Sequence, residues 1–158
     1  TGRFQTFRAQ AAPVSPQATV EPVRPAGTVP PLNIGGRAKA ALQPYPETYG
    51  QAAAWRIAIA PDALTGTADV TLDIRYRGDV ARLFDGAKMV DDQFWYGPDW
   101  RVGLRRLGVG PFTLNVLPLR ADAPVYIDDA YRPRPSDGAQ VADVASVRLV
   151  PTYGLDLR

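Results

Sequence analysis

Hydrophobic and polar residues alternate along several short segments of the chain after residue 52. The clearest segment places four hydrophobic residues at alternate positions, with polar or charged residues between them: Val70, Leu72, Ile74 and Tyr76. A period of two directs one set of side chains inward and the other toward water, which predicts a half-buried strand. Similar alternation predicts strands at three further places: around Trp55 to Ile59, Phe112 to Val116, and Val147 to Leu149.

Turn-forming dipeptides separate these segments. Gly78-Asp79 ends the clearest strand, and Asp85-Gly86 lies between two apolar runs. Asp-Gly between apolar runs is typical of a tight hairpin, because glycine accepts the positive φ that such a turn needs. The segment from Asp91 to Trp100 contains Gly-Pro and is predicted to be a loop. Residues 102–107 are predicted to form a further strand, and the short apolar run at 125–127 is a candidate for another.

The spacing of strands and turns predicts an all-β fold. About seven or eight short strands, with a turn every 8–12 residues or so, are typical of a sandwich or jelly roll. We therefore expect an antiparallel jelly-roll-like β-sandwich over residues 51–158. No segment shows a sustained helical period.

The first 50 residues have a different texture. Eight prolines interrupt residues 1–46, and each removes a backbone donor and fixes φ, so neither a long helix nor a central strand is expected there. Residues 1–50 are predicted to form an irregular, Pro-rich connector. The chain starts at Thr1 rather than Met, which favours a fragment of a longer protein.

Composition narrows the possible chemistry. The chain has no cysteine and no histidine, so disulfides, thiolate metal sites and the Ser-His-Asp triad are excluded. Its 18 basic and 16 acidic residues are scattered, so neither a nucleic-acid partner nor a membrane partner is expected, and no apolar run approaches a membrane span. We expect no cofactor and no metal ion.

Two pairs of aspartates are candidate acid–base groups, at positions 91–92 and 128–129. Adjacent residues in an extended chain point to opposite faces, so neither pair suits the two opposed carboxyl groups of glycoside hydrolysis. We interpret these residues as turn and strand-end residues that accept backbone N–H bonds. No catalytic residue is predicted in this chain.

One cluster of aromatic and charged residues is the candidate binding site. Aromatic rings stack on the apolar face of a sugar, while Asp and Arg bind its hydroxyls. The alternative is that the rings pack at the edge of the sandwich or dock on another domain. The cluster consists of Asp91, Asp92, Phe94, Trp95, Tyr96, Trp100 and Arg101.

Three motifs in the same region resemble the C-terminal β-sandwich of bacterial β-galactosidases of glycoside hydrolase family thirty-five. These motifs are Gly-Asp-Val-Ala-Arg-Leu at 78–83, Asp-Asp-Gln-Phe-Trp-Tyr-Gly at 91–97, and Trp-Arg-Val-Gly-Leu at 100–104. The sequence departs from the family pattern at Asp85 and at Trp95-Tyr96, where Asn and Tyr-Asn are expected, so contacts of those side chains are not carried over.

The resemblance implies a non-catalytic accessory domain of a β-galactosidase-like hydrolase. Its partner would be the parent enzyme's TIM barrel, which carries the catalytic glutamates and does not fit in 158 residues. The resemblance also favours a periplasmic or secreted location. An alternative is an autonomous carbohydrate-binding module, with galactosides or polysaccharides as ligands, and a third is a self-assembling sandwich without a ligand.

Overall fold

The computed structural model describes residues 8–37, 39–135 and 138–155. Its strands are β1 (Ala18–Arg24), β2 (Ile34–Gly35), β3 (Ala40–Ala41), β4 (Ala53–Ile59), β5 (Asp69–Arg77), β6 (Val80–Asp85), β7 (Lys88–Phe94), β8 (Trp100–Gly103), β9 (Phe112–Val116), β10 (Leu119–Arg120), β11 (Gln140–Val141) and β12 (Asp143–Thr152). A 3-10 helix spans Pro46–Gln51, and the one-turn helix α1 spans Leu104–Leu107.

Two antiparallel sheets form the body of the molecule. The first has the strand order β1-β4-β9-β6-β7, and the second has the order β12-β5-β8. The main hydrophobic core contains residues of both sheets, among them Ile57, Leu83 and Leu114 from the first and Leu72 and Ile74 from the second. The prediction of an all-β sandwich is therefore confirmed.

The clearest sequence pattern corresponds to the central strand of the second sheet. All four alternating hydrophobic residues of β5 are fully buried: Val70, Leu72, Ile74 and Tyr76. The predicted hairpin is also present, since β6 and β7 pair directly across Asp85-Gly86 and Gly86 has φ +57. That positive φ is the conformation for which glycine is favoured.

The N-terminal segment differs from the expectation of an irregular connector. Its β1 pairs antiparallel with β4, as an edge strand of the five-stranded sheet. An edge position tolerates Pro22, because a strand with one free side does not need every backbone donor. Residues 1–7 of the predicted connector lie outside the described residues.

Three local predictions were wrong. Strand β7 continues through Phe94, so residues 91–94 belong to a strand and not to a loop. The strand predicted at 102–107 ends at Gly103 and gives way to α1. The apolar run at Val125–Ile127 is not a strand; Val125 and Ile127 join Leu119 and Ala123 in a small satellite cluster.

Val29, Tyr49 and Ala52 cover part of the outer face of the five-stranded sheet. Inward-facing Ala81 and Leu83 place Val80 on the opposite face of β6. There Val80 packs in a second small cluster, together with Val29, Ala52, Leu117 and Tyr49. Within the described residues, no helix has the length and apolar character needed to cross a membrane.

Candidate functional site

The structure separates the predicted binding cluster into buried and exposed parts. Trp100 is only 4% exposed, and its ring lies edge-on to Tyr76 with a centroid distance of 6.3 Å. Trp95 is half-buried, packs edge-on to Tyr76 at 5.2 Å and donates from Nε1 to the Tyr131 carbonyl at 3.1 Å. Both tryptophans therefore close the edge of the sandwich, and Trp100 offers no free ring face to a ligand.

Phe94 and Tyr96 are the exposed members of the cluster. Their exposures are 54% and 57%, similar to those of Tyr45 and Tyr131. Gly97 follows them with φ +115, and a Cβ there would lie 2.4 Å from Cγ of Tyr131. A side chain at position 97 is therefore disfavoured for two reasons: the positive φ suits glycine, and a Cβ would clash with the Tyr131 ring.

Arg101 lies on a different surface from Phe94. It projects from the outer face of the three-stranded sheet, where its Nε is 3.3 Å from Oδ1 of Asp73. Asp99 lies close by and pairs with Arg75 at 2.7 Å and with Arg148 at 3.1 Å. The Arg75 guanidinium holds the pKa of Asp99 below its usual range. This surface is a network of ion pairs, and Arg101 takes part in it.

Asp91 and Asp92 lie on the edge strand β7. Oδ1 of Asp91 accepts a hydrogen bond from the backbone N–H of Asp92 at 3.0 Å. Asp92 is exposed and lies opposite Arg82 in the β6–β7 pairing. The other predicted turn pair behaves similarly, since Asp128 caps its own turn by accepting the N–H of Ala130 at 2.9 Å.

One buried acidic residue, Asp79, was not predicted as a site residue. It precedes β6, is 8% exposed, and is fixed by its backbone: its N–H donates to the Leu117 carbonyl, and its carbonyl accepts from the Trp95 N–H, both at 2.8 Å. Burial raises the pKa of its carboxyl to about 6. Among the described residues, no salt bridge or hydrogen bond to this carboxylate is present.

The Asp79 side chain lines two adjoining depressions beneath the N-terminal segment. One is a narrow cleft of about 30 Å³, bordered by Pro31, Tyr45 and Arg120. The other is wider, about 250 Å³, and has mainly apolar walls. These walls include Leu32, Leu42, Pro44, Phe94 and Val125.

Of the two arginines on this side of the sheet, Arg120 borders the cleft and is ion-paired, whereas Arg82 lies over Tyr49 and its buried Nε has no hydrogen-bond partner among the described residues. Arg120 makes two hydrogen bonds of 2.8 Å to Asp122, and the Arg82 guanidinium lies 3.4 Å from the centre of the Tyr49 ring. The pKa of Tyr49 is raised, chiefly by burial. These contacts leave the Asp79 carboxylate as a buried acceptor facing an apolar depression.

Sequence reasoning missed Asp79 for a physical reason. Gly78-Asp79 has the local pattern of an ordinary turn, and its burial depends on Leu32, Leu42 and Pro44, which are 35 or more positions earlier. No local periodicity indicates that the Pro-rich segment folds over this turn. Among the described residues, no group of three or more His, Cys, Asp or Glu side chains is placed to hold a metal ion.

Comparisons with known proteins give no match: no protein-family model, curated protein or solved structure shows significant similarity to this chain.

Proposed function

We propose that this chain is a non-catalytic accessory β-sandwich domain of a larger β-galactosidase-like glycoside hydrolase. It docks on the catalytic barrel through the surface around Phe94 and Tyr96 and shapes the approach of substrate. The observation that carries the proposal is the exposure of Phe94, which lines the depression that Leu42 and Val125 border, with Tyr96 exposed two residues later.

This surface has the character of an interface. Exposed apolar residues that share one depression are more informative than scattered ones, because clustered apolar surface marks contact sites. Leu42 and Tyr45 are 46% and 56% exposed and lie on the same side of the molecule as Phe94. Aromatic residues are also the side chains most enriched at the centre of protein interfaces.

The sequence resemblance falls on the same region. Its first two motifs form β6, β7 and the segment that follows, and they carry Phe94, Tyr96 and the glycine turn at Gly97. The rigid anchoring of Trp95 by Tyr76 and Tyr131 holds this segment in one conformation. A preorganised surface costs less conformational entropy on docking.

The first test is catalytic. The isolated chain should not hydrolyse a nitrophenyl β-galactoside above the rate of a buffer blank, and robust turnover that copurifies with the chain would contradict the proposal.

The second test is docking. The chain is mixed with the remaining part of its parent polypeptide, expressed separately, and association is followed by analytical ultracentrifugation. Phe94→Ser and Tyr96→Ser should each weaken association at least tenfold, about 1.4 kcal/mol or more, since aromatic interface residues often contribute that much. Met89→Ser is the matched control, because Met89 is 46% exposed on the same strand but far from the depression.

The alternative function is an autonomous carbohydrate-binding module. Phe94 and Tyr96, with Asp92 nearby, are the exposed groups that could contact a sugar. Saturable binding of galactosides or polysaccharides, measured by tryptophan fluorescence and lost in Tyr96→Ala, would favour this alternative over docking. The absence of association in the ultracentrifuge would strengthen that conclusion.

A further inference from the structure

The Asp79 carboxylate is buried and has no hydrogen-bond or ion-pair partner among the residues that the structure describes. Carboxylates are almost never this buried unless they are paired, because removing an ionised group from water is costly. The structure nevertheless holds Asp79 firmly, through its backbone bonds to Leu117 and Trp95. A fixed, buried and unpaired acceptor that lines an open depression is arranged to receive a donor from outside the chain.

The shape of the site restricts that donor. The narrow cleft, at about 30 Å³, has room for a group the size of two or three water molecules, since one water needs roughly 10–15 Å³ on this measure. A sugar ring is too large for it, whereas an ammonium or one edge of a guanidinium is not. The wider depression, at about 250 Å³, adjoins it and shares Leu32, Leu42 and Pro44 with it.

The walls restrict the donor further. Leu42, Pro44, Phe94 and Val125 favour an aliphatic stem, while the carboxylate favours a positive head group. Arginine and lysine combine both features, because their methylene stems pack on apolar surface and their charged ends donate hydrogen bonds. Among the described residues, Arg120 is the basic residue that lines the narrow cleft, and it is ion-paired with Asp122.

We propose that the Asp79 cleft receives one arginine or lysine side chain of the catalytic domain on which this chain docks. The inference rests on the proposed function, since that domain supplies the occupant. The stem would lie on Leu42 and Phe94, and the head group would bind the carboxylate. Docking would thereby acquire one charge-assisted contact at the centre of an otherwise apolar surface.

The direct test uses small probes on the isolated chain. Binding of n-butylguanidinium, of neutral n-butylurea and of methyl β-galactoside is followed by NMR shifts of the backbone amides of Leu42, Asp79 and Phe94. Butylguanidinium should bind saturably in the millimolar range, and butylurea at least tenfold more weakly. Equal binding of the two probes, or saturable galactoside binding at these amides, would overturn the proposal.

Two variants and a pH change isolate the carboxylate. Asp79→Asn should abolish saturable butylguanidinium binding, while Asp85→Asn, which removes an exposed charge and keeps a turn-compatible residue, should leave it unchanged. The unsubstituted chain should bind the probe several-fold more weakly at pH 5 than at pH 8, because the Asp79 carboxyl protonates near pH 6. The other ionisable groups around it are Tyr45, Tyr49, Tyr76, Asp92, Arg82 and Arg120.

Docking measurements separate this inference from the proposed function. In the ultracentrifuge, Asp79→Asn should weaken association at least tenfold when Asp85→Asn does not. Association that is sensitive to Phe94→Ser but not to Asp79→Asn would leave the accessory role intact and contradict the basic occupant. Probe binding without any association would instead contradict the docking role and, with it, the stated source of the side chain.

Discussion

Buried polar side chains in this molecule differ by whether they find a partner. The hydroxyl of Tyr76 is fully buried and donates to the Gln93 carbonyl at 2.9 Å. Asp73 is 9% exposed and faces Arg101 across the sheet. Asp79 is buried to a similar extent but has no ion-pair partner within the described part of the chain. Its burial therefore raises its pKa, whereas an ion pair would lower it.

Replacing Asp79 should stabilise the isolated chain. The pKa is raised from 3.8 to about 6, so the folded chain binds the proton more tightly than the unfolded chain. The favourable contribution of Asp79 to the free energy of unfolding is therefore fully present below pH 4, and it is lost as pH rises through 6. A shift of about two units corresponds to a penalty of at most about 3 kcal/mol at pH 7.5, and Asn recovers part of it, about 1–2 kcal/mol.

Urea unfolding at pH 4 and at pH 7.5 checks this expectation. The stabilisation by Asp79→Asn should be present at pH 7.5 and nearly absent at pH 4. Asp85→Asn should change the free energy of unfolding by less than about 0.5 kcal/mol at either pH, as is usual for exposed positions. A destabilised Asp79→Asn chain at pH 7.5 would show that the carboxylate has a partner after all.

Substitution of a buried aromatic residue should destabilise the chain, whereas substitution of an exposed one should not. Trp100→Ala should lower the free energy of unfolding by about 3–5 kcal/mol, because it leaves a cavity between the sheets. Tyr96→Ala should change it by less than about 0.5 kcal/mol. Chemical denaturation measures both, and a large loss in Tyr96→Ala would indicate that this exposed ring has a structural role.

At the scale of elements, the sequence predicts what depends on near neighbours. The period-two pattern of β5 and the Asp85-Gly86 turn are local properties, and both were predicted correctly. Pairing with β4 gives β1 its structure, and no pattern within its own residues indicates that partner. The end of β8 at Gly103 was not predicted. Leu104 is buried in the core, as the next inward residue of a strand would be, although it belongs to the helical turn α1.

A chain that begins at residue 51, the boundary predicted from composition, should be much less stable than the whole chain. It would lose β1 from the edge of β4, together with the cover that Val29 and Tyr49 provide over Val80. Burial of one such side chain contributes about 1.5–3 kcal/mol, so a loss of more than 3 kcal/mol is expected. A chain beginning at Gln17 keeps these contacts and is the control, with a loss of about 1 kcal/mol or less.

Thermal unfolding followed by circular dichroism distinguishes the two truncated chains. If the chain from residue 51 unfolds at the same temperature as the one from Gln17, the N-terminal segment is a connector in the sense that its composition predicts.

At the scale of the whole molecule, the two outer faces of the sandwich have different chemistry. The three-stranded sheet presents paired charges, among them Asp73, Arg75 and Asp99. On the five-stranded sheet, Val29, Tyr49 and Ala52 cover part of the outer face, which borders the apolar depression beside Phe94 and also carries Arg82 and Asp92. The apolar depression therefore lies on the side of the molecule away from the Asp99 ion pairs.

Only part of the candidate site could be predicted from the sequence. Phe94 and Tyr96 belong to a dense aromatic segment that is visible in the sequence, although the sequence does not show which of its rings are buried. Arg101 was grouped with them by proximity along the chain, but β8 carries it to the other sheet. Asp79 and Leu42 are 37 positions apart, and only the tertiary fold brings them to one cleft.

The contact between the two ends of the described chain has one more consequence. The backbone N–H of Val14 donates to the Tyr153 hydroxyl at 2.8 Å, so these positions lie side by side. A short Gly-Ser linker could join them, with new termini opened in the exposed Asp85-Gly86 turn. Such a circular permutant should keep the β-rich circular dichroism spectrum and unfold within about 2 kcal/mol of the original chain, a tolerance common for domains with adjacent termini. Because the chain enters and leaves the sandwich at neighbouring positions, the domain could also be inserted into a surface loop of an unrelated protein.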